Sequence, residues 1–523
     1  MTGNPIGTVA DADDLPPALG ERHTLAPEEE LRIEVPFQKQ TACIITLQKG
    51  SAELYGVELA LHKSYTFPEG GLKIAVFTWH GCVLDVDVHG GTSVECYMSD
   101  ETSSNVAVVN THAQLEALRD QAAAGFAPQH STNNDTSGVP ATLGPRVLVV
   151  GPPESGKSTV TKTLLAYAVK LGRLPLWVDL DPVDNGISIP GTLAACPVTR
   201  DTVTIESWAT TGIPSHATSP LILWHGSASS SDGSGSTSTA STSSRPLPDL
   251  FRAQVTALGQ KINARLAGDE LAYSSGIIVN TNGWIQEEGF QLLMHTVEAL
   301  QISVVLVLGH DKLYSMFKSQ SKLQQETPQT TQQPRQDWKV IKLPRSGGVA
   351  TRDAGFLRSC KSRALKRYFY GELIESSNQK TSISSTNAAS AVNATPASRV
   401  PQLTPFLIQL PWGDLTLYKL SSMTLSASLL PVAAAQTTEA VQITRISQLA
   451  DVSAQTILAV CHPQAVVTYE KSQDAADLYT SGVAGFVNVE RIVAETETLH
   501  LLTPCAGTLP SMTLIWGNIS WME

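Results

Sequence analysis

The sequence predicts a multidomain α/β protein, with a central parallel sheet flanked by an N-terminal β-sandwich and a small C-terminal α+β domain. Three observations lead there. Residues 146–159 read Arg-Val-Leu-Val-Val-Gly-Pro-Pro-Glu-Ser-Gly-Lys-Ser-Thr, an apolar strand running into Gly151-x4-Gly156-Lys157-Ser158 and then a helical run over 160–171. Three more near-continuous Val/Ile/Leu segments, at 176–180, 277–280 and 304–308, alternate with helical stretches, as strands buried on both faces do. On either side the pattern changes to short β-type runs broken by turns. At 523 residues the chain also exceeds what one core supports.

Taken in order, residues 1–28 are rich in Asp, Pro and Gly and read as disordered. Residues 29–126 form the expected N-terminal domain. Runs at 31–35, 42–47, 52–54, 74–78 and 92–96, separated by Gly50, Gly56 and Gly70-Gly71, suit a small sandwich, and a helix over 111–126 puts Leu115 and Leu118 on one face. Residues 127–144 are a polar linker. Residues 145–400 form the P-loop NTPase domain, interrupted or followed by low-complexity insertions at 227–244, 319–337 and 375–399 that hold too little apolar surface to order themselves. Residues 401–523 turn β-rich again, with runs at 406–410, 415–420, 456–460, 483–489 and 513–519.

No apolar run approaches the ~18–20 residues of a membrane span, and the N-terminus lacks a charged-then-apolar leader, so a soluble, non-secreted protein without a membrane partner is expected. Seven cysteines are scattered singly with no Cys-x-x-Cys pair, which suits reduced thiols in the nucleus or cytosol. A net charge of −12 argues against coating nucleic acid by bulk electrostatics. The charge is uneven, however. Residues 1–35 carry eight acids against two bases, whereas residues 342–370 carry eight bases against Asp353 alone, so an anion is expected to meet the second stretch.

The chemistry starts at the glycine loop. Gly151, Glu154, Ser155, Gly156, Lys157, Ser158 and Thr159 form the expected cradle for a nucleoside triphosphate. Successive backbone N–H groups curl round the phosphates, Lys157 adds a cation, and the Ser158 hydroxyl holds Mg²⁺. The strand at 176–180 delivers Asp181, a carboxylate suited to the Mg²⁺ shell or to taking a proton from an attacking hydroxyl. No Asn-Lys-x-Asp guanine reader follows a later strand, which makes ATP the default nucleotide. Trp284, on the turn Thr281-Asn282-Gly283-Trp284, is placed to stack a nucleobase. The segment Ser346-Gly347-Gly348-Val349-Ala350-Thr351-Arg352 suits a hinged lid whose arginine closes over phosphates.

Glu30-Leu31-Arg32, Lys73-Ile74-Ala75-Val76-Phe77-Thr78-Trp79, the glycine loop, Asp181, Ser188-Ile189-Pro190-Gly191-Thr192, Thr281-x-Gly283-Trp284, Pro344-x-Ser346-Gly347-Gly348 and Arg367-Tyr368-Phe369-Tyr370-Gly371 stand in an order that resembles one family over almost the whole chain. It is the family of pre-mRNA cleavage and polyadenylation factors related to polynucleotide 5′-hydroxyl kinases, which includes the ATP-binding subunit of fungal cleavage factor IA. The resemblance implies a nuclear protein with a sandwich domain closing over ATP, Glu30 and Lys73 near the adenine, and a Trp284 clasp for an RNA 5′ end. It also implies an Arg352 lid and a C-terminal domain that helps dock the other subunits of cleavage factor IA. Two departures bear on activity. Competent relatives carry Gly-Gln just after the aspartate that matches Asp181, where this chain has Pro182-Val183-Asp184-Asn185. They also have a second lid arginine where this chain has Leu357, with Arg358 one position late, a rotation of ~100° on a helix. The expected function is therefore an ATP-binding subunit of the 3′-end machinery, required for endonucleolytic cleavage, that holds ATP structurally. The alternative is an active kinase in which Asp181, Lys157, Arg352 and Trp284 serve phosphoryl transfer to an RNA 5′-hydroxyl.

Overall fold

The computed structural model describes residues 20–89, 94–125, 143–210, 212–213, 218–227, 248–326, 337–371, 373–375, 399–422 and 441–522. The chain divides into two compact units, Met1–Thr102 and Ser103–Glu523.

The first unit is antiparallel throughout its named strands. The runs expected at 31–35 and 42–47 fuse into one strand, Glu30–Gly50, whose register shifts between Phe37 and Ala42. Its first part pairs with Glu95–Ser99, its second with Cys82–His89, and Ser64–Phe77 follows it across both. Long strands that pass from one part of the sheet to the other fold it into a sandwich around Leu31, Ile33, Ile45, Leu72, Val76 and Leu84. The disorder expected for residues 1–28 is corrected over 20–28, and residues 1–19 lie outside the described residues. Glu21–Leu25 is a strand along Cys82–His89, with Arg22 Nε 2.7 Å from the buried Asp85 carboxylate.

The helix expected at 111–126 begins at Ser103, runs to Ala124 and belongs to the second unit, where Arg119 Nε donates to Ser275 O at 3.0 Å. The central sheet runs in the order Leu221–Trp224, Thr192–Pro197, Leu176–Leu180, Ile277–Thr281, Arg146–Val150, Val304–Leu308, Lys339–Leu343. Its last five strands are parallel, and every residue of Arg146–Val150 is buried. The expectation of a parallel sheet is corrected at one edge, because Thr192–Pro197 runs antiparallel to both neighbours. The loop before it spans only residues 181–191, too short for a helical crossover, so the chain turns back instead.

The C-terminal sheet has the order Phe406–Pro411, Thr498–Thr503, Val483–Val493, Thr456–Cys461, Thr513–Ser520, Thr416–Ser422, Val441–Arg445, with helices Pro463–Ser472 and Ala476–Tyr479 beside it. It shares a core with the central domain. Ile189, Trp224, Leu365 and Phe369 pack in one cluster with Phe486, Ile515, Ile519 and Trp521. Gln254 Nε2 donates to both Trp224 O and Tyr479 O, at 2.8 and 3.1 Å. These contacts explain why the two domains form a single unit.

Most of the expected linker and low-complexity insertions lies outside the described residues, although 319–326 closes the helix Asp311–Glu326. Among the described residues no helix is long and apolar enough to cross a membrane.

Candidate nucleotide site

The glycine loop leaves the carboxyl end of the strand Arg146–Val150, between Ile277–Thr281 and Val304–Leu308, and feeds the helix Lys157–Lys170. Its backbone needs its residue types. Gly156 sits at φ 88° and Glu154 at φ 54°, and a Cβ on Gly151 would lie 2.6 Å from Ser155 Oγ. Gly156 caps the helix with no side-chain hydrogen bond, so the first amides stay open to an anion. Ser155 Oγ and Lys157 Nζ both donate to Pro152 O, at 2.9 and 2.7 Å, which holds the loop closed on itself. Burial lowers the Lys157 ammonium to about 8, against the pull of Asp181. A desolvated ammonium whose named acceptor is one neutral carbonyl is suited to anionic oxygens. Thr159 is exposed on the first helical turn.

Asp181 begins the short loop after Leu176–Leu180. Its Oδ1 accepts the Val183 N–H at 2.9 Å, and burial raises its pKa, with Asp184 adding to the rise and Lys157 opposing it. The carboxylate tied to Ser158 is a different one. Asn280 Nδ2 donates to Ser158 Oγ at 3.3 Å and to Asp179 Oδ1 at 3.0 Å. Asp179 also accepts from the Asp181 and Gly186 amides and is pushed up to about 7 by burial. Among the described residues no cage of His, Cys, Asp and Glu side chains gathers for a metal. A divalent ion on Ser158 would thus rely largely on phosphate and water oxygens, as Mg²⁺ usually does.

Trp284 is half-buried on its turn, its N–H donating to Asn282 Oδ1 at 3.0 Å. A Cβ on Gly283 would lie 2.5 Å from Pro153 N, so this glycine lets the Trp284 turn rest on the phosphate loop. Arg352, the arginine expected to act as a lid, precedes the helix Ala354–Tyr370. Its backbone N–H donates to Glu154 Oε1 at 2.6 Å and its Nη1 lies 2.9 Å from Asp184 Oδ2. Glu154 therefore ties the lid to the loop. Glu30 and Lys73 belong to the first unit, where Glu30 Oε1 takes the Arg32 guanidinium at 2.6 Å and Lys73 Nζ lies 3.1 Å from Glu34.

Sequence reasoning missed four residues here. Asp179 reads as strand interior, and Asn280 as the end of the strand expected at 277–280. Lys162, one helical turn past Ser158, is buried with Nζ donating to Trp208 O at 2.9 Å, its ammonium lowered to about 8. Lys361 stands one helical turn past Leu357. Burial lowers its pKa, while Asp181 and Asp184 pull the other way. Arg358 is exposed and turns back to Ala354 O at 3.3 Å. The helical spacing Leu357 to Lys361 was the one signal in the sequence that places a cation on the same helix face one turn on.

A mainly parallel sheet with a glycine loop at the end of its central strand, an aspartate-bearing neighbour and a basic lid define a P-loop nucleotide-binding protein of kinase-like build. The match to known proteins is more specific. The model of the mRNA cleavage and polyadenylation factor CLP1 P-loop matches residues 151–371, and that of the N-terminal beta-sandwich domain of polyadenylation factor matches residues 24–122. The model of the pre-mRNA cleavage complex II protein Clp1 matches residues 403–523. The chain belongs to the Clp1 family.

Its relatives include the protein CLP1 homolog of Arabidopsis thaliana, 30% identical over 497 residues, with 95% of this chain and 93% of the relative covered. The polyribonucleotide 5′-hydroxyl-kinase Clp1 of Homo sapiens is 30% identical over 518 residues, covering 99% of this chain and 100% of the relative. The solved structure of a wild-type Clp1p–Pcf11p complex shares the fold, with a TM-score of 0.67 at 20% identity over 97% of this chain and 99% of that one.

Proposed function

We propose that the chain is an ATP-binding subunit of the nuclear pre-mRNA 3′-end cleavage and polyadenylation machinery, required for endonucleolytic cleavage, and that it keeps ATP with Mg²⁺ as a resident ligand. The observation that carries the resident-ligand reading is the pairing of Arg352 with Asp184. Asp184 lies in the stretch where competent relatives carry Gly-Gln, so the departure in sequence supplies the acid that engages the lid arginine. A guanidinium held by a carboxylate is not poised for charge that develops only in a transition state. Lys157, the open amides of the helix Lys157–Lys170 and the Ser158 hydroxyl would still bind the phosphates, and bound Mg²⁺ would neutralise part of their charge. Family membership supports docking to other subunits of a cleavage factor IA-type assembly, including a Pcf11-like chain.

A second reading has an observation of its own. Lys361 feels both Asp181 and Asp184 and can supply the cation that Leu357 cannot. In that reading Asp181 orients the 5′-hydroxyl of an RNA end, Trp284 stacks its base, and Lys157 with Arg352 and Lys361 meets the phosphate charge.

The deciding experiment incubates purified protein with γ-labelled ATP and 5′-hydroxyl RNA, comparing wild type with Lys157→Ala, Asp181→Ala and Asp184→Asn. Retained ATP, negligible transfer by wild type and a gain of ~10-fold or more in Asp184→Asn support the resident-ligand reading. Robust transfer by wild type that vanishes in Asp181→Ala overturns it.

A further inference from the structure

Asn280 is the penultimate residue of the strand Ile277–Thr281, flanked by Val149 on one neighbouring strand and Asp179 on the other. It is fully buried, which for a primary amide demands partners on both ends. Both protons of Nδ2 are used: one goes to Ser158 Oγ at 3.3 Å, the other to Asp179 Oδ1 at 3.0 Å. The amide oxygen has no hydrogen-bond partner among the described residues, although it too is shut off from bulk water. With Asp179 ionised, Oδ1 accepts the Asp181 N–H and Oδ2 the Gly186 N–H, so the Asn280 group that faces Oδ1 is the amide donor.

A buried amide with two satisfied donors and an idle acceptor, beside the hydroxyl that would hold a divalent ion, has one chemical use. We propose that Asn280 is a positioning residue for the metal of the nucleotide site. Nδ2 holds Ser158 Oγ with a lone pair free for the ion, and Oδ1 is the acceptor left over for a hydrogen bond from that ion's hydration shell. An aspartate at this position could not do the same job. It would set a second carboxylate about 3 Å from Asp179 and would lose the donor that Ser158 receives. The inference rests on the reading that the glycine loop binds a metal–nucleotide complex and adds how this chain orients the metal ligand.

The test is Mn²⁺ binding, followed by electron paramagnetic resonance, to full-length protein loaded with a non-hydrolysable ATP analogue. Nucleotide affinity is measured in parallel in EDTA. Asn280→Ala should weaken Mn²⁺ binding ~10-fold or more while changing the EDTA affinity less than ~2-fold. Combined with Ser158→Ala, it should add little to the loss caused by Ser158→Ala alone, because both act through one oxygen. Asn280→Ser serves if the alanine variant does not fold. It keeps a small polar group beside Asp179 but cannot reach Ser158, and the same loss of Mn²⁺ binding is expected. Unchanged Mn²⁺ affinity, or equal losses with and without metal, overturns the inference. A wild-type protein that binds no nucleotide at all instead overturns the reading on which it rests.

Discussion

The glycine loop, with Lys157, and the basic segment expected to act as a lid, which starts at Arg352, both offer cations, but their charged groups are engaged differently. On the loop side, Lys157 rests on a carbonyl of its own backbone and the helix amides behind it have no cap. Both arrangements are replaced at little cost when phosphate arrives. On the lid side, Arg352 gives its N–H to Glu154 and its guanidinium to Asp184, and Asp353 caps the helix through the Phe356 N–H. Beyond Lys361 the same helix sinks into the C-terminal core, where Leu365 and Phe369 are buried. The loop is built to receive an anion, whereas the lid is a strut already fastened at both ends. On the resident-ligand reading, that difference is how retention of nucleotide and transfer of its phosphate would separate within one site.

The largest effect should come from removing the loop's own contribution. Lys157→Ala with Ser158→Ala deletes the ammonium and the metal hydroxyl together, so the protein should lose its nucleotide and with it the stabilisation that binding confers, ~4 kcal/mol at a thousandfold excess over Kd. Nucleotide content and melting temperature equal to wild type would show that the loop is not a binding site.

Next comes the strut. Trp521 is buried, stacks on Phe369 with ring centroids 5.2 Å apart, and donates through Nε1 to Ser362 Oγ at 3.3 Å. Trp521→Ala should lower stability by ~3 kcal/mol, the usual cost of a large core aromatic. It should also speed nucleotide release, since the far end of the lid helix loses its anchor. Destabilisation with an unchanged release rate would mean that the lid does not depend on the C-terminal domain.

A third prediction concerns Lys162, whose folded pKa of about 8 lies below the ordinary 10.5. Below pH 8 both folded and unfolded chains carry the proton, so folding bears the full cost of burying the ammonium. Between 8 and 10.5 the unfolded chain binds a proton that the folded one does not, and stability rises with pH. Lys162→Met should therefore raise the stability of nucleotide-free protein at pH 7 by ~2 kcal/mol, after allowance for the Trp208 carbonyl left without its donor. The gain should shrink as pH passes from 8 towards 10. Melting curves at pH 7, 8.5 and 9.5 check it, and a gain independent of pH would show that the ammonium is not what the substitution relieves.

How much of this was legible depended on whether the information is local. The glycine loop is readable because Gly151, Gly156, Lys157 and Ser158 work at fixed spacing on one strand and one helix. The strand Thr192–Pro197 was missed because Ala194-Ala195-Cys196 carries little β signal and its place is fixed by the short loop before it. Glu30–Gly50 read as two strands because Gln38-Lys39-Gln40 breaks the apolar pattern where the sheet bends, between the pairings of Phe37 and Ala42. Asn280 could not be read as a site residue, and Asp184 stood out only as a departure from the family pattern, with no partner legible. Each acquires its role from a group more than a hundred positions away, Ser158 for one and Arg352 for the other.

The smallest effect sharpens the lid side of the comparison. Arg358 and Lys361 both lie close to Leu357, the position that the family resemblance matches to a second lid arginine; Asp181 and Asp184 act on Lys361, while Arg358 is exposed and bonds to Ala354 O of its own helix. Arg358→Ala should therefore change nucleotide retention less than ~2-fold, within the range of ordinary surface substitutions. Lys361→Ala should speed nucleotide release several-fold, because Asp181 and Asp184 then face the phosphates with one cation fewer. Release rates of a fluorescent ATP analogue distinguish the two. If Arg358→Ala proved the more damaging, the register of the lid would be one residue away from the one described.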